Sequence, residues 1–111
     1  MDTVEQYREI IKRVLIDYAK IPYSYGEIDF EHVFDRDTDR YLLMISGWEG
    51  PRRVHGCLLH IDIINDNVWI QRDGSEHGIA LDLEEAGIPK DRIVLAFQPP
   101  YIREHTDYAV A

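Results

Sequence analysis

The chain has 111 residues, and its 21 acidic and 12 basic side chains give a formal net charge of −9. The single cysteine excludes an internal disulfide, and a hydrophobic fraction of 45% is too high for a disordered chain. The negative charge disfavours binding to nucleic-acid phosphates and to anionic membranes.

The N-terminal sequence lacks the basic start and apolar core of a signal peptide. No apolar run approaches the roughly 20 residues that span a membrane. We therefore expect a cytoplasmic protein with no membrane contact, folded as one domain around one core.

The first predicted element is an amphipathic helix of about 17 residues. Its apolar side chains recur three and four residues apart, at Val4, Tyr7, Ile11, Val14 and Tyr18, and Ile10 and Leu15 widen this stripe. Pro22 is expected to end it, because proline disfavours helical geometry at the preceding residue.

Four strands follow. Alternating apolar and polar residues predict a strand that starts at Glu27, and the polar run DRDTDR (35–40) then turns the chain. Strands are also predicted over Tyr41–Trp48, Arg53–Ile64 and Val68–Asp73, with a tight hairpin at 65–67. The third strand is apolar on both faces, which predicts a central strand covered on both sides.

A second helix is expected to begin near Ser75 and to turn Ile79, Leu83 and Ala86 inward. Gly87 is expected to end it in a Schellman motif, with Ile88 packed back on Leu83. The apolar run at 92–97 fits either a strand or a buried helix, and we interpret it as a short fifth strand. The predicted fold is α+β, with an antiparallel sheet of about four or five strands, an N-terminal helix on one face and a helix after strand four.

The pair His60 and Asp62 is the first candidate for chemistry. Strict alternation places both on one face of the third strand and places His55 and Cys57 on the other. A zinc site needs three or four ligands, and no Cys/His spacing supplies them. We therefore interpret Asp62 as orienting His60 and assign no catalytic or metal-binding residue; a small metal or hydrolytic enzyme using these residues is the alternative.

Trp69 is the candidate for an interface. It shares its predicted strand face with the polar residues Asn67, Gln71 and Asp73, so it is either covered by the tail or exposed as an anchor. Arg52 and Arg53 form the only compact basic pair. The predicted contact surface therefore comprises Trp69, Gln71, Arg52 and Arg53, for a second copy or for a partner.

The order of motifs resembles the XisI family, cyanobacterial proteins named as controlling factors for excision of the fdxN DNA element. The resemblance covers nearly the whole chain, which would make residues 1–111 one XisI-like domain. It is carried by QYREIIKRVL, YSYGEID, RRVHGCLLHIDI, VWIQRDGSE, IALDLEEAGIPKDRIVLAF and TDYAVA.

The resemblance implies a non-enzymatic accessory role in programmed DNA excision, with a XisH-like nuclease and a XisF-like recombinase as partners and without cofactors. Because the net charge opposes tight DNA binding, we expect contact with a partner protein and not with DNA. An antitoxin-like inhibitor of a nuclease is the alternative, and a homo-oligomer is compatible with either role.

Overall fold

In a computed structural model of the chain, residues 3–20 and 27–111 are described, so the expected helix end at Pro22 lies outside the described residues. The elements follow one another in the order α1 (Thr3–Tyr18), β1 (Glu27–Asp35), β2 (Arg40–Glu49), β3 (Arg52–Ile64), β4 (Asn67–Asp73), α2 (Ile79–Glu85), a 3₁₀ turn (Lys90–Arg92), β5 (Ile93–Leu95) and α3 (Pro100–Arg103).

The five strands form one sheet in the order β1-β2-β3-β4-β5. The first four are antiparallel, and β5 is parallel to β4. The chain crosses through α2 before it returns as β5, which allows the parallel pairing. The predicted α+β fold, with its N-terminal helix and its helix after strand four, is confirmed; the fifth strand is shorter than the run at 92–97 and runs parallel.

The core lies between one face of the sheet and the two longer helices. The predicted stripe of α1 is confirmed, because Tyr7, Ile11, Val14 and Leu15 are buried. They meet buried side chains of the sheet and of α2, which are Tyr41, Leu43, Leu59, Ile61, Ile63, Val68, Ile70, Ile79, Ala80, Leu83 and Ile93. None of the described helices is both long enough and apolar enough to cross a membrane.

Two predicted turns are confirmed by backbone geometry. Asn65 and Asp66 both have positive φ, at 50° and 66°, and join β3 to β4 as a two-residue hairpin. Gly87 has φ 120° at the end of α2. The amide of Ile88 donates to the Leu83 carbonyl and that of Gly87 to Glu84, each at 3.0 Å, as in a Schellman motif.

The turn at 35–40 binds α1. The Arg8 guanidinium donates to both carboxylate oxygens of Asp39, at 2.8 and 3.1 Å, and the Tyr41 hydroxyl donates to the same group at 2.9 Å. The hydrogen bond from Arg8 lowers the pKa of Asp39. Arg36 pairs with Glu5 beside it. These ion pairs fix the first half of α1 over the β1–β2 turn.

Strict alternation along β3 is wrong, because the strand contains a β-bulge. Leu43 pairs with Leu59, but the next residue, Met44, pairs with Cys57, so Leu58 is extra. Directly paired residues share a face, and one extra residue reverses the faces beyond it. His55 and Cys57 therefore lie on the same face as His60 and Asp62, and not on the opposite one.

A second bulge in β4 corrects the prediction for Asp73. Ile61 pairs with Ile70 and His60 with Arg72, so Gln71 is the extra residue. Asp73 therefore leaves the face of Trp69 and turns towards α2, where its Oδ2 accepts from the Ile79 amide at 3.0 Å. The expected start of α2 at Ser75 is also wrong: α2 begins at Ile79, and Ser75 instead donates to Asp73 through its amide.

Replacement of Asp73 by alanine should destabilise the fold by about 2 kcal/mol, because it removes the acceptor for the first amide of α2. The free energy of unfolding in urea measures this. Asp73→Asn keeps one acceptor oxygen and should lose less, and Glu104→Ala, an exposed carboxylate of the tail, is the control. Equal stability of Asp73→Ala and the control would contradict the capping role.

Candidate functional site

The sheet face opposite α1, called here the open face, is only partly covered. The C-terminal segment after β5 crosses its β4–β5 side. Ala109 forms a bridge with Val94 and donates its amide to the Ile93 carbonyl at 2.8 Å. Asn67 donates its side-chain amide to the Ala111 carbonyl at 2.9 Å. The tail thus covers Val94, whereas the β1–β3 half of the face stays largely uncovered: Val33 and Trp48 are about half exposed, and only Asp62 among the described residues is buried there. The expected cover of β3 on both faces is therefore found at Asp62 but not at Arg53 and His55, which are exposed.

Trp69 lies at the border between the covered and uncovered halves. Its ring is partly buried, and the Arg103 guanidinium lies 5.7 Å from the ring centre. Its indole Nε1 is buried and donates to no acceptor among the described residues. Arg103 of the tail therefore supplies part of its cover, and direct contact of Trp69 with another protein stays a prediction.

His60, Asp62 and Gln71 form a hydrogen-bonded group on the open face. His60 Nε2 lies 2.8 Å from Asp62 Oδ1, and the Gln71 amide donates to Asp62 Oδ2 at 3.3 Å. Asp62 is 8% exposed. One of its oxygens is hydrogen-bonded to His60 of the same strand and the other to Gln71 of β4. This geometry agrees with the interpretation that Asp62 orients His60.

Cys57 joins this face through the bulge of β3, without nucleophilic activation. Burial raises the pKa of its thiol, which keeps it protonated, and the thiol donates to the Leu59 carbonyl at 3.3 Å. Among residues 3–20 and 27–111, no three His, Cys, Asp or Glu side chains are grouped to hold a metal ion.

Arg52 and Arg53, predicted as a basic pair, are separated by the strand geometry. Arg53 pairs with Trp48 on the open face, and its guanidinium lies 5.3 Å from the indole centre. Arg52 pairs with Glu49 and binds its carboxylate at 3.0 Å. Because neighbouring strand residues point to opposite faces, only Arg53 belongs to the open face.

Trp48 was missed by the sequence reasoning. It is 50% exposed on the open face. The sequence did contain a signal for an exposed Trp48: residues 41–48 are apolar on both faces of the predicted strand, although only one face can pack on α1. A strand with two apolar faces needs a second covering layer.

A groove of about 440 Å³ between α1 and α2 is the second candidate site. Its carboxylates are Asp17, Asp82 and Glu85; the Arg13 guanidinium also lines it, and the Lys20 ammonium binds Asp17 at 3.2 Å. The rings of Tyr18 and His77 also line it, and they stack with centres 6.5 Å apart. The groove is thus a negatively charged cleft with an aromatic wall, suited to a cationic side chain.

His77 carries a titratable charge in this groove. Its Nε2 lies 2.8 Å from Asp82 Oδ2, and this hydrogen bond, together with the charge of Asp82, raises the pKa of His77. The sequence reasoning missed the groove because its walls come from segments that lie far apart in the chain.

Comparison with known proteins gives a consistent result. The sequence model of the family described as XisI protein matches residues 1–110. The fold matches the crystal structure of a XisI-like protein from Anabaena variabilis ATCC 29413, with 33% identity, a TM-score of 0.88 and coverage of 97% of this chain and 99% of the other. The search among curated proteins gave no match.

A second solved structure is similar over the whole length. It is described as fdxN element excision controlling factor XisI from Anabaena variabilis ATCC 29413. It is 31% identical, has a TM-score of 0.84, and the alignment covers 99% of this chain and all of the other.

The titration of His77 should have its midpoint above the ordinary histidine value of about 6.5. The variant Asp82→Asn should lower that midpoint, whereas Asp91→Asn, outside the groove, should leave it unchanged. Proton NMR of the imidazole measures both. The raised pKa means that the His77–Asp82 pair stabilises the fold fully below the unfolded pKa and loses this contribution as the pH rises through the folded pKa. A midpoint insensitive to Asp82→Asn would contradict the assigned pair.

Proposed function

The chain belongs to the XisI family, and from this membership we propose that it is a controlling factor in the excision of a DNA element. The observation that carries the proposal is the likeness, over 99% of this chain, to the protein named fdxN element excision controlling factor XisI. We assign it a non-enzymatic role in the cytoplasm. The description of that relative as a controlling factor is what supports a non-enzymatic role.

The proposed control acts through protein contacts. A nuclease or recombinase must present Lys and Arg side chains to the DNA phosphates. A chain with a net charge of −9 is repelled by DNA and attracted to such a basic surface, which favours fast and selective association. A XisH-like nuclease is the partner that fits this chemistry, with a XisF-like recombinase as a further member of the assembly.

The groove between α1 and α2 supports this proposal. Asp17 and Glu85 lie at its surface as exposed carboxylates, and Asp82 is partly buried beside them. A lysine or arginine side chain of the partner would be neutralised by these groups and stacked on the Tyr18 ring. We therefore assign the partner contact to this groove.

One observation favours the antitoxin-like alternative. Residues 73–86 contain five carboxylates and no lysine or arginine, and two of them, Glu76 and Glu85, are exposed, so this segment presents negative charge to a partner as nucleic-acid phosphates do. An inhibitor of this kind would occupy the nuclease's DNA site and lower its activity. An excision factor would instead support recombination, so the activity of the partner with and without this chain separates the two roles.

Reversal of two groove charges, in the variant Asp17→Lys with Glu85→Lys, should weaken binding to the purified XisH-like partner at least about tenfold. The matched control is Asp91→Lys with Glu104→Lys, which makes the same change of charge at exposed residues outside the groove. Calorimetric titration measures the affinity, and excision of the element in the host measures the function.

Three outcomes would contradict the proposal. If both double variants bind equally well, the groove is not the contact. If the unaltered chain does not bind the partner, the XisH-like assignment is wrong. If deletion of the chain leaves excision unchanged, the role in excision itself is wrong.

A further inference from the structure

The uncovered half of the open face carries an apolar stripe along β2. Leu42 and Met44 are half-buried, Trp48 is 50% exposed, and Val33 on the neighbouring strand is 49% exposed. The strand register places these side chains on one face. A contiguous apolar patch on a sheet that faces water is a mark of a contact surface.

Charges of opposite sign flank this stripe. Direct pairing across the three strands sets Glu27 beside Trp48 and Trp48 beside Arg53. The next row on the same face pairs Asp29 with Ser46 and Ser46 with His55. The open face is therefore acidic on β1, apolar along β2 and cationic or imidazole-bearing on β3.

The rows nearer the β1–β2 turn keep the same order in part. In one row Glu31 of β1 pairs with Met44 of β2. In the next row Leu42 of β2 pairs with His60 of β3, which pairs in turn with Arg72 of β4. The row at the β1–β2 turn departs from this order, because Arg40 on β2 lies between Asp35 on β1 and Asp62 on β3, and two carboxylates against one guanidinium leave it net negative. The charged groups that β1 presents to this face are thus all carboxylates, whereas β3 and β4 together present two guanidinium groups, of Arg53 and Arg72, against the single carboxylate of Asp62.

We propose that this face binds a second copy of the same chain, with a twofold axis in the interface that runs along β2. Rotation about that axis places β2 on β2 and lays β1 of one copy over β3 of the other. The apolar stripe then packs on itself, and Glu27 faces Arg53 of the second copy. A twofold axis across the strands would instead lay the acidic β1 strands on each other, which like charges oppose.

The geometry is that of an aligned β-sandwich. Two twisted sheets that pack face to face keep their strand directions within about 30°. The sheets lie about 10 Å apart, and the inner side chains of both fill the layer between them. The tail already fills that layer over β4 and β5 within each chain, so the second copy completes it over β1 to β3. The helices lie outside, and the groove of the proposed partner contact stays accessible; the dimer therefore does not depend on that proposed function.

Arg53 belongs to the contact set predicted from the sequence, which is Trp69, Gln71, Arg52 and Arg53. In the proposed dimer, Glu27 of the second copy lies opposite it. Gln71 lies at the rim, bound to Asp62. Arg52 points to the other face and is excluded from the contact. Because Arg52 and Arg53 are adjacent, exposed and equally charged, they provide a matched pair for a test.

The test uses charge reversal and sedimentation velocity. The unaltered chain, of 13.0 kDa, should sediment as a dimer of about 26 kDa, twice that mass. Glu27→Arg and Arg53→Glu should each weaken self-association at least about tenfold, because symmetry doubles each like-charge contact. Arg52→Glu should leave it unchanged.

Mixing the two impaired variants should restore a dimer. In the mixed pair, the arginine introduced at position 27 of one chain faces the glutamate introduced at position 53 of the other. The second contact joins the unaltered Arg53 and Glu27, so both contacts are attractive again. Recovery also shows that each variant is folded. A chain that stays at 13.0 kDa at millimolar concentration, an equal effect of Arg52→Glu, or a mixture that does not recover would overturn the proposal.

Discussion

The carbonyl oxygen of Leu58 accepts a hydrogen bond from the Gly74 amide at 2.8 Å, and the arrangement of the open face depends on this contact. It fixes the extra residue of β3 against the end of β4. A β-carbon at position 74 would lie 2.9 Å from that oxygen and 2.7 Å from the Leu58 side chain, so only glycine fits without displacement. Because the bulge reverses the faces of the first half of β3, Arg53 and His55 share the surface of His60 instead of lying under α1.

The segment WIQRDG, one of the stretches that resemble the family, has a structural role at each of its polar positions. Gln71 binds Asp62, Asp73 accepts the first amide of α2, and Gly74 approaches β3. The Arg72 guanidinium donates to the Cys57 carbonyl at 2.7 Å, beside the bulge. The same six residues therefore set the β3–β4 register, the start of α2 and the distribution of charge on the open face.

Local signals in the sequence were sufficient for α1, for the hairpin at Asn65 and for the Schellman motif at Gly87, because each is determined by residues a few positions apart. The bulges could not be predicted, since the apolar residues around Leu58 satisfy either register and only pairing with β2 and β4 decides between them. The groove could not be predicted because its residues are distant in the chain. Of the predicted contact residues, Trp69 is partly buried beside Arg103 of the tail and Arg52 lies on the opposite face, and both placements follow from tertiary structure.

The open face and the acidic groove lie on opposite sides of the molecule, so the proposed contacts with a second copy and with a basic partner are compatible with each other. Trp48 tests the first contact directly, because Trp69 is the only other tryptophan. In the variant Trp69→Phe, the fluorescence of Trp48 can be followed from micromolar to millimolar concentration. Burial against a second copy predicts that its emission moves to shorter wavelength and that quenching by acrylamide decreases as the concentration rises. Emission and quenching that remain those of an exposed indole over the whole range would contradict it.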